Sequence, residues 1–200
     1  MIALIDYGAG NLTSVRKGLA AAGGTVYSPA APTDLERASA IVVPGVGHFS
    51  ATAVLADQWR QAVRERIERD VPLLGICLGM QWLFEGSEEA AGVPGLGIFP
   101  GRCTKIVAVR PLKVPHVGWN TLLRIGTSSL LEGVADGVHV YFTHTFAAPI
   151  TADTVASTTH DVSFASAVER GYVFGLQFHP EKSADAGLQM LRNFVRLVHG

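Results

Sequence analysis

Along this chain of 200 residues, short apolar runs alternate with amphipathic stretches. Ile2 to Ile5, Thr25 to Tyr27, Ala40 to Val43 and Leu73 to Ile76 read as strands. Leu12 to Ala22 is helix-like. Asp57 to Arg69 carries Trp59, Val63 and Ile67 at helical spacing, with Arg60, Arg64, Glu65 and Glu68 elsewhere, which predicts a surface helix with an inner apolar stripe. Strands alternating with helices predict an α/β fold: three layers, a mostly parallel central sheet with helices on both faces.

From Gly92 onward the texture changes to short segments broken by proline and glycine. Arg102 to Val109, Lys113 to Trp119, Val138 to His144, Thr154 to Thr158, Phe164 to Glu169 and Tyr172 to Phe178 carry the β pattern. They predict an antiparallel β-rich extension of the sheet. A final helix follows, with Ser183 as its expected N-cap and Leu188, Leu191, Val195 and Val198 as its inner stripe. No repeat, low-complexity tract or linker interrupts the chain, so residues 1–200 are expected to form one domain.

Composition narrows the class. With 48% hydrophobic and 16% charged residues, the chain is not disordered, and a net charge of −1 gives no electrostatic footprint for nucleic acid. No apolar run is long enough to span a membrane, and Met1 to Asp6 lacks the basic start of a secretory signal, so a cytoplasmic protein is expected. Two cysteines do not make a disulfide framework. Cys103 lies within a predicted strand and is read as structural.

The other cysteine stands in a different setting. Gly75-Ile76-Cys77-Leu78-Gly79 leaves a predicted strand, and Met80 to Phe84 begins a helix, so Cys77 sits where a nucleophile elbow places its reactive residue. Flanking glycines let neighbouring backbone approach such a strained turn. The bland alternative is a core cysteine. A second pattern weighs against it: the predicted strand through Phe178 runs into His179-Pro180-Glu181, a base with a carboxylate two residues on. Nucleophile, base and orienting group are then all present. Two glycine-rich turns are less decisive. Gly8-Ala9-Gly10 is followed by Thr13 where a dinucleotide fingerprint needs glycine, so no nucleotide cofactor is expected. Pro44-Gly45-Val46-Gly47 is either a simple strand-to-helix turn or a loop able to turn a backbone N–H toward a ligand.

Gly75-Ile76-Cys77-Leu78-Gly79-Met80-Gln81 together with His179-Pro180-Glu181 resembles the class I, or triad, glutamine amidotransferases. Asp6-Tyr7-Gly8-Ala9-Gly10-Asn11-Leu12, Pro44 to Phe49, Val114 to Asn120 and Tyr141 to His144 narrow the resemblance to the glutaminase subunits of imidazole glycerol phosphate synthases, over nearly the whole chain. The resemblance implies that Cys77, His179 and Glu181 hydrolyse L-glutamine without cofactor or metal. It implies an oxyanion hole from the N–H groups of Leu78 and of the Val46–Gly47 segment. It places Gln81 and the backbone of Thr145 and Phe146 at the glutamine. It also places there a carboxylate twelve residues after the nucleophile, which is Glu89, although Glu88 is adjacent. Finally, it implies a (β/α)₈-barrel cyclase subunit as partner, with Asn11, Trp119 and Lys182 at the contact. Three rivals share parts of the pattern. Intracellular thiol peptidases carry histidine directly after the cysteine, where this chain has Leu78. Glutaminases of anthranilate, aminodeoxychorismate or pyridoxal phosphate synthesis usually lack the Asp6 to Asn11 and Gly79 to Gln81 blocks. A non-catalytic interaction protein would have no use for the intact Cys77, His179 and Glu181 set.

Overall fold

The computed structural model describes residues 1–107 and 112–198. Thirteen strands are seen among them: β1 Ile2–Leu4, β2 Val26–Tyr27, β3 Ala40–Val43, β4 Leu73–Ile76, β5 Gly86–Ser87, β6 Arg102–Lys105, β7 His116–Thr121, β8 Leu123–Arg124, β9 His139–His144, β10 Phe146–Ala147, β11 Thr154–His160, β12 Val162–Arg170 and β13 Val173–Leu176. The helices are α1 Leu12–Ala21, α2 Asp57–Ile67, α3 Leu78–Leu83 and α4 Ala184–Leu197.

Eight strands form the central sheet in the order β2-β1-β3-β4-β13-β12-β11-β8. The first five are mutually parallel, and β12, β11 and β8 continue the sheet antiparallel. Both faces of the parallel half are covered, which is why its strands are apolar at every position. Ile2, Leu4, Val42, Leu74 and Leu176 pack toward α1 and α4, with Leu19, Met190, Leu191 and Phe194. Ala3, Ile41, Val43, Leu73 and Val173 pack on the opposite side, toward Val63 of α2 and Met80 and Trp82 of α3. The three-layer expectation holds. Two small sheets, β10-β6-β5 and β7-β9, sit beside the main one.

Several boundaries differ from the sequence reading. The elbow helix starts at Leu78, two residues early, and ends at Leu83, with Phe84 already extended. Strand β7 begins at His116 because Pro115 has no N–H to give the ladder. The acidic stretch at Glu85–Glu89 is the short strand β5 followed by a 3₁₀ turn over Glu88–Ala90. The end of the strand expected over Arg102 to Val109 lies outside the described residues. Ser183 is the N-cap residue of α4, as expected, but its side chain makes no capping bond to the helix. Its Oγ donates to the His179 carbonyl at 2.6 Å and accepts from the Tyr141 N–H at 3.0 Å, tying the turn to β9. The inner face of α4 is Gly187, Met190, Leu191, Phe194 and Val195, whereas Leu188 and Val198 are only half-buried.

The placement of β13 organises the rest. It enters from the far end of the chain and lies parallel to β4, with Gly175 opposite Gly75 and Leu176 opposite Ile76. Whatever follows Leu176 therefore emerges beside whatever follows Ile76, at the carboxyl edge where ligands collect in such sheets.

Candidate active site

Cys77 sits on the turn between β4 and α3 at φ 55°, ψ −106°, a left-handed conformation that a non-glycine residue adopts only when its surroundings impose it. Those surroundings are the two glycines. A Cβ on Gly79 would stand 1.8 Å from the Val43 carbonyl oxygen, and one on Gly75 would stand 2.7 Å from that of Gly79. The Cys77 N–H donates to the Leu176 carbonyl at 2.7 Å, which fixes the turn to β13.

Three residues after the end of β13, His179 is buried beside this turn. Its Nδ1 lies 2.9 Å from Glu181 Oε1, and both side chains are almost fully shielded from solvent. The carboxylate holds the ring through Nδ1, which leaves Nε2 for chemistry. Among the described residues Nε2 has no hydrogen-bond partner, and neither has Glu181 Oε2. Burial alone would lower the proton affinity of His179. The neighbouring Cys77 and Glu181 outweigh it and raise the pKa to about 9. The Cys77 sulfur is further flanked by the Thr143 carbonyl at 3.8 Å and the Gln177 amide nitrogen at 3.7 Å.

The sulfur opens on a cleft of about 290 Å³ lined by Gly47, Leu78, Gln81, Glu89, Thr145 and Phe146, together with Pro115, Thr143 and His144. Glu89, the carboxylate expected at the glutamine, and its neighbour Glu88 part here. Glu89 is half-buried on the cleft wall and accepts the Phe49 N–H at 2.7 Å, whereas Glu88 is exposed and faces the Lys105 N–H at 3.4 Å. Gln81 acts on the wall: its Nε2 donates to the Phe146 carbonyl at 2.8 Å and to Gln177 Oε1 at 3.1 Å. Of the expected oxyanion donors, the Leu78 N–H is engaged, donating to the Gly45 carbonyl at 3.2 Å. Val46 is half-buried, and Gly47 reaches the cleft at φ 106°.

The class-I glutamine amidotransferase family model matches residues 3–198. The chain belongs to the class-I glutamine amidotransferases. Among curated relatives, it is 46% identical to the imidazole glycerol phosphate synthase subunit HisH of Thermococcus kodakarensis, over 98% of this chain and 100% of that protein. It is 45% identical to the subunit of the same name from Geobacillus kaustophilus, over 100% of this chain and 98% of that one. Solved structures share the fold at lower identity: a glutamine amidotransferase at TM-score 0.76 and 20% identity, over 100% of this chain and 99% of that one, and PurLQS from Thermotoga maritima at TM-score 0.76 and 18% identity, over 98% and 97%.

In this amidotransferase, three residues near the cleft were not singled out from sequence. His116 and His144 are buried and joined, Nδ1 to Nε2, at 2.9 Å. The Phe146 carbonyl, 2.9 Å from His144 Nδ1, can only accept, so protons run one way: Asn120 donates to His116, His116 to His144, and His144 to Phe146. Burial first, and then nearby histidines (His144 and His160 for His116, His160 and His179 for His144), lower both pKa values, to about 3 for His116 and about 4 for His144, so the pair is neutral. Tyr141 is the third. Lys182 Nζ lies 5.7 Å from its ring centroid and Trp119 packs edge-on at 6.1 Å, so two expected contact residues meet around it. Trp119 is 53% exposed. Asn11 is also exposed but has a local duty, accepting the Ser14 N–H at 3.2 Å to cap α1. Among the described residues, no helix is long and apolar enough to cross a membrane.

Proposed function

We propose that residues 1–200 act as one glutamine amidotransferase domain, the glutamine-hydrolysing subunit of a cytoplasmic imidazole glycerol phosphate synthase, and that Cys77, His179 and Glu181 carry the reaction. His179 takes the thiol proton, and the Cys77 sulfur forms a bond to the side-chain amide carbon of L-glutamine. The resulting oxyanion requires N–H donors from Leu78 and the Val46–Gly47 segment. His179 returns its proton to the departing nitrogen, the C–N bond breaks, and ammonia leaves a thioester on Cys77. Water, deprotonated by His179, then adds to the thioester carbon; the C–S bond breaks, the sulfur regains a proton from His179, and glutamate leaves. Glu181 keeps the imidazole in one orientation throughout. Glu89 would meet the substrate's α-amino group, and Gln81, which donates to the Phe146 carbonyl, would help hold glutamine in the cleft that both residues line.

The observation that carries this proposal is the meeting of a left-handed cysteine that opens on the cleft with a buried His179–Glu181 pair, across 102 residues of chain. The high identity to HisH subunits extends it to the partner. Ammonia would pass to a (β/α)₈-barrel cyclase subunit that makes imidazole glycerol phosphate and aminoimidazole carboxamide ribotide in histidine biosynthesis. Asn11, Trp119 and Lys182 would face that subunit. The test is glutamate and imidazole glycerol phosphate formation by the chain mixed with a cyclase subunit. Production of both is expected; glutamate formation with Cys77→Ala as fast as wild type would overturn the assignment.

A further inference from the structure

Tyr7 lies on the loop between β1 and α1, and its side chain turns into the protein at 7% exposure. Its hydroxyl is buried and has no hydrogen-bond partner among the described residues. It is pressed against the loop that follows β3, because a Cβ placed on Gly45 would stand 2.0 Å from the Tyr7 oxygen. Burial, and then the charge of Cys77, push its ionisation upward, so it remains a donor. Leu78 packs against the same glycine, and the Gly45 carbonyl accepts its N–H at 3.2 Å. Leu78 cannot offer that N–H to an oxyanion until the Gly45 carbonyl turns away, and a buried carbonyl turned from its donor needs another.

We propose that the Tyr7 hydroxyl takes over the Gly45 carbonyl when this peptide turns, which makes Tyr7 a positioning residue for glutamine hydrolysis. The exchange converts one made and one missing hydrogen bond into another such set. The Gly45 oxygen passes from Leu78 to Tyr7, and the Leu78 N–H passes to the substrate. Rotation of the same peptide reorients the Val46 N–H. The lever is short: Gly10 backs onto this peptide, its constructed Cβ 3.4 Å from Gly45 Cα and 3.8 Å from the Val46 nitrogen. Gly10 also adjoins Asn11, the expected contact with the cyclase. Movement of the β1–α1 loop on docking would therefore reach the Gly45–Val46 peptide directly.

The proposal rests on the glutaminase assignment and is tested with Tyr7→Phe, which keeps the ring. Glutamate release is measured for the isolated chain and for its complex with the cyclase subunit and imidazole glycerol phosphate. The stimulation ratio, taken within each protein, is expected to fall roughly tenfold in the variant, with the glutamine KM of the complex unchanged. Alkylation of Cys77 by iodoacetamide, which needs no oxyanion donor, keeps its rate. The melting temperature of the isolated chain stays level or rises, because the hydroxyl removed had no partner. A stimulation ratio within twofold of wild type overturns the proposal, and so does a drop in melting temperature. Absence of glutamate release from the wild-type complex would instead remove the glutaminase assignment beneath it.

Discussion

At the scale of single residues, three histidines near the cleft divide by what surrounds them. Glu181 and Cys77 raise His179 to about 9, while burial lowers His116 to about 3 and His144 to about 4, from a common 6.5. The signs fix two pH windows. His179 favours the folded state in its protonated form, so its contribution is complete below 6.5 and fades as pH rises through about 9. His116 and His144 are neutral when folded, so an unfolded chain takes up protons that they refuse as pH drops from 6.5 toward 4. Thermal melting is therefore expected to be highest near pH 6.5 and to fall on both sides, with the acid limb shallower in His116→Gln; a flat acid limb in wild type would contradict this. Within the proposed triad, Cys77→Ala and His179→Ala should each cut glutamate release by roughly 10⁶-fold and Glu181→Gln by roughly 10⁴-fold, measured in the cyclase complex. The proposed roles of Cys77, His179 and Glu181 come from local spacing, which sequence carries. The His116–His144 pair was not legible there, because only the register of β7 against β9 brings those rings together.

At the scale of elements, the site depends on how closely α3 is drawn down onto β3 and β4. Gly79→Ala would put a methyl 1.8 Å from the Val43 carbonyl oxygen, a clash with backbone that no side-chain shift can relieve. The expected cost is at least ~3 kcal/mol, a fall of about 6–12 °C in melting temperature for a chain of this size. Gly92→Ala, where nothing lies within 4 Å, should leave melting almost unchanged. An equal effect of the two would show that the close approach of α3 does not matter. The parallel strands and α1 were readable because apolar runs and helical spacing are local signals. Strands β5, β8 and β10, two residues each, carry no periodicity and exist only through their partners. Ser183 shows the same limit: its sequence position is that of a cap, yet its hydroxyl is claimed by His179 and Tyr141 across the fold.

At the scale of the whole molecule, the proposed catalytic residues and the proposed partner contact share one edge of the sheet. Lys182 follows the triad carboxylate and reaches over Tyr141 beside the exposed Trp119. In the complex, Lys182→Ala is expected to let ammonia escape: glutamate formation persists while imidazole glycerol phosphate formation lags, and equal yields of the two would refute a role at the junction. The resting state follows from the loop after β3. With the Leu78 N–H donated to the Gly45 carbonyl, one of the two expected oxyanion donors is engaged elsewhere. Losing one such donor costs ~3–4 kcal/mol, roughly a 10²–10³-fold loss in rate. Gly45 and Gly47 flank Val46, and a Cβ on Gly47 would meet nothing within 4 Å, so the peptide has room to turn. A partner that binds the turned form better shifts the loop by its difference in affinity. The isolated chain should therefore be nearly silent as a glutaminase although Cys77, His179 and Glu181 are in place, with turnover rising on cyclase binding and again with imidazole glycerol phosphate. Glutamate release compared across the isolated chain, the complex and the liganded complex decides it: full turnover in the isolated chain would mean that the Gly45–Leu78 hydrogen bond opens freely and restrains nothing.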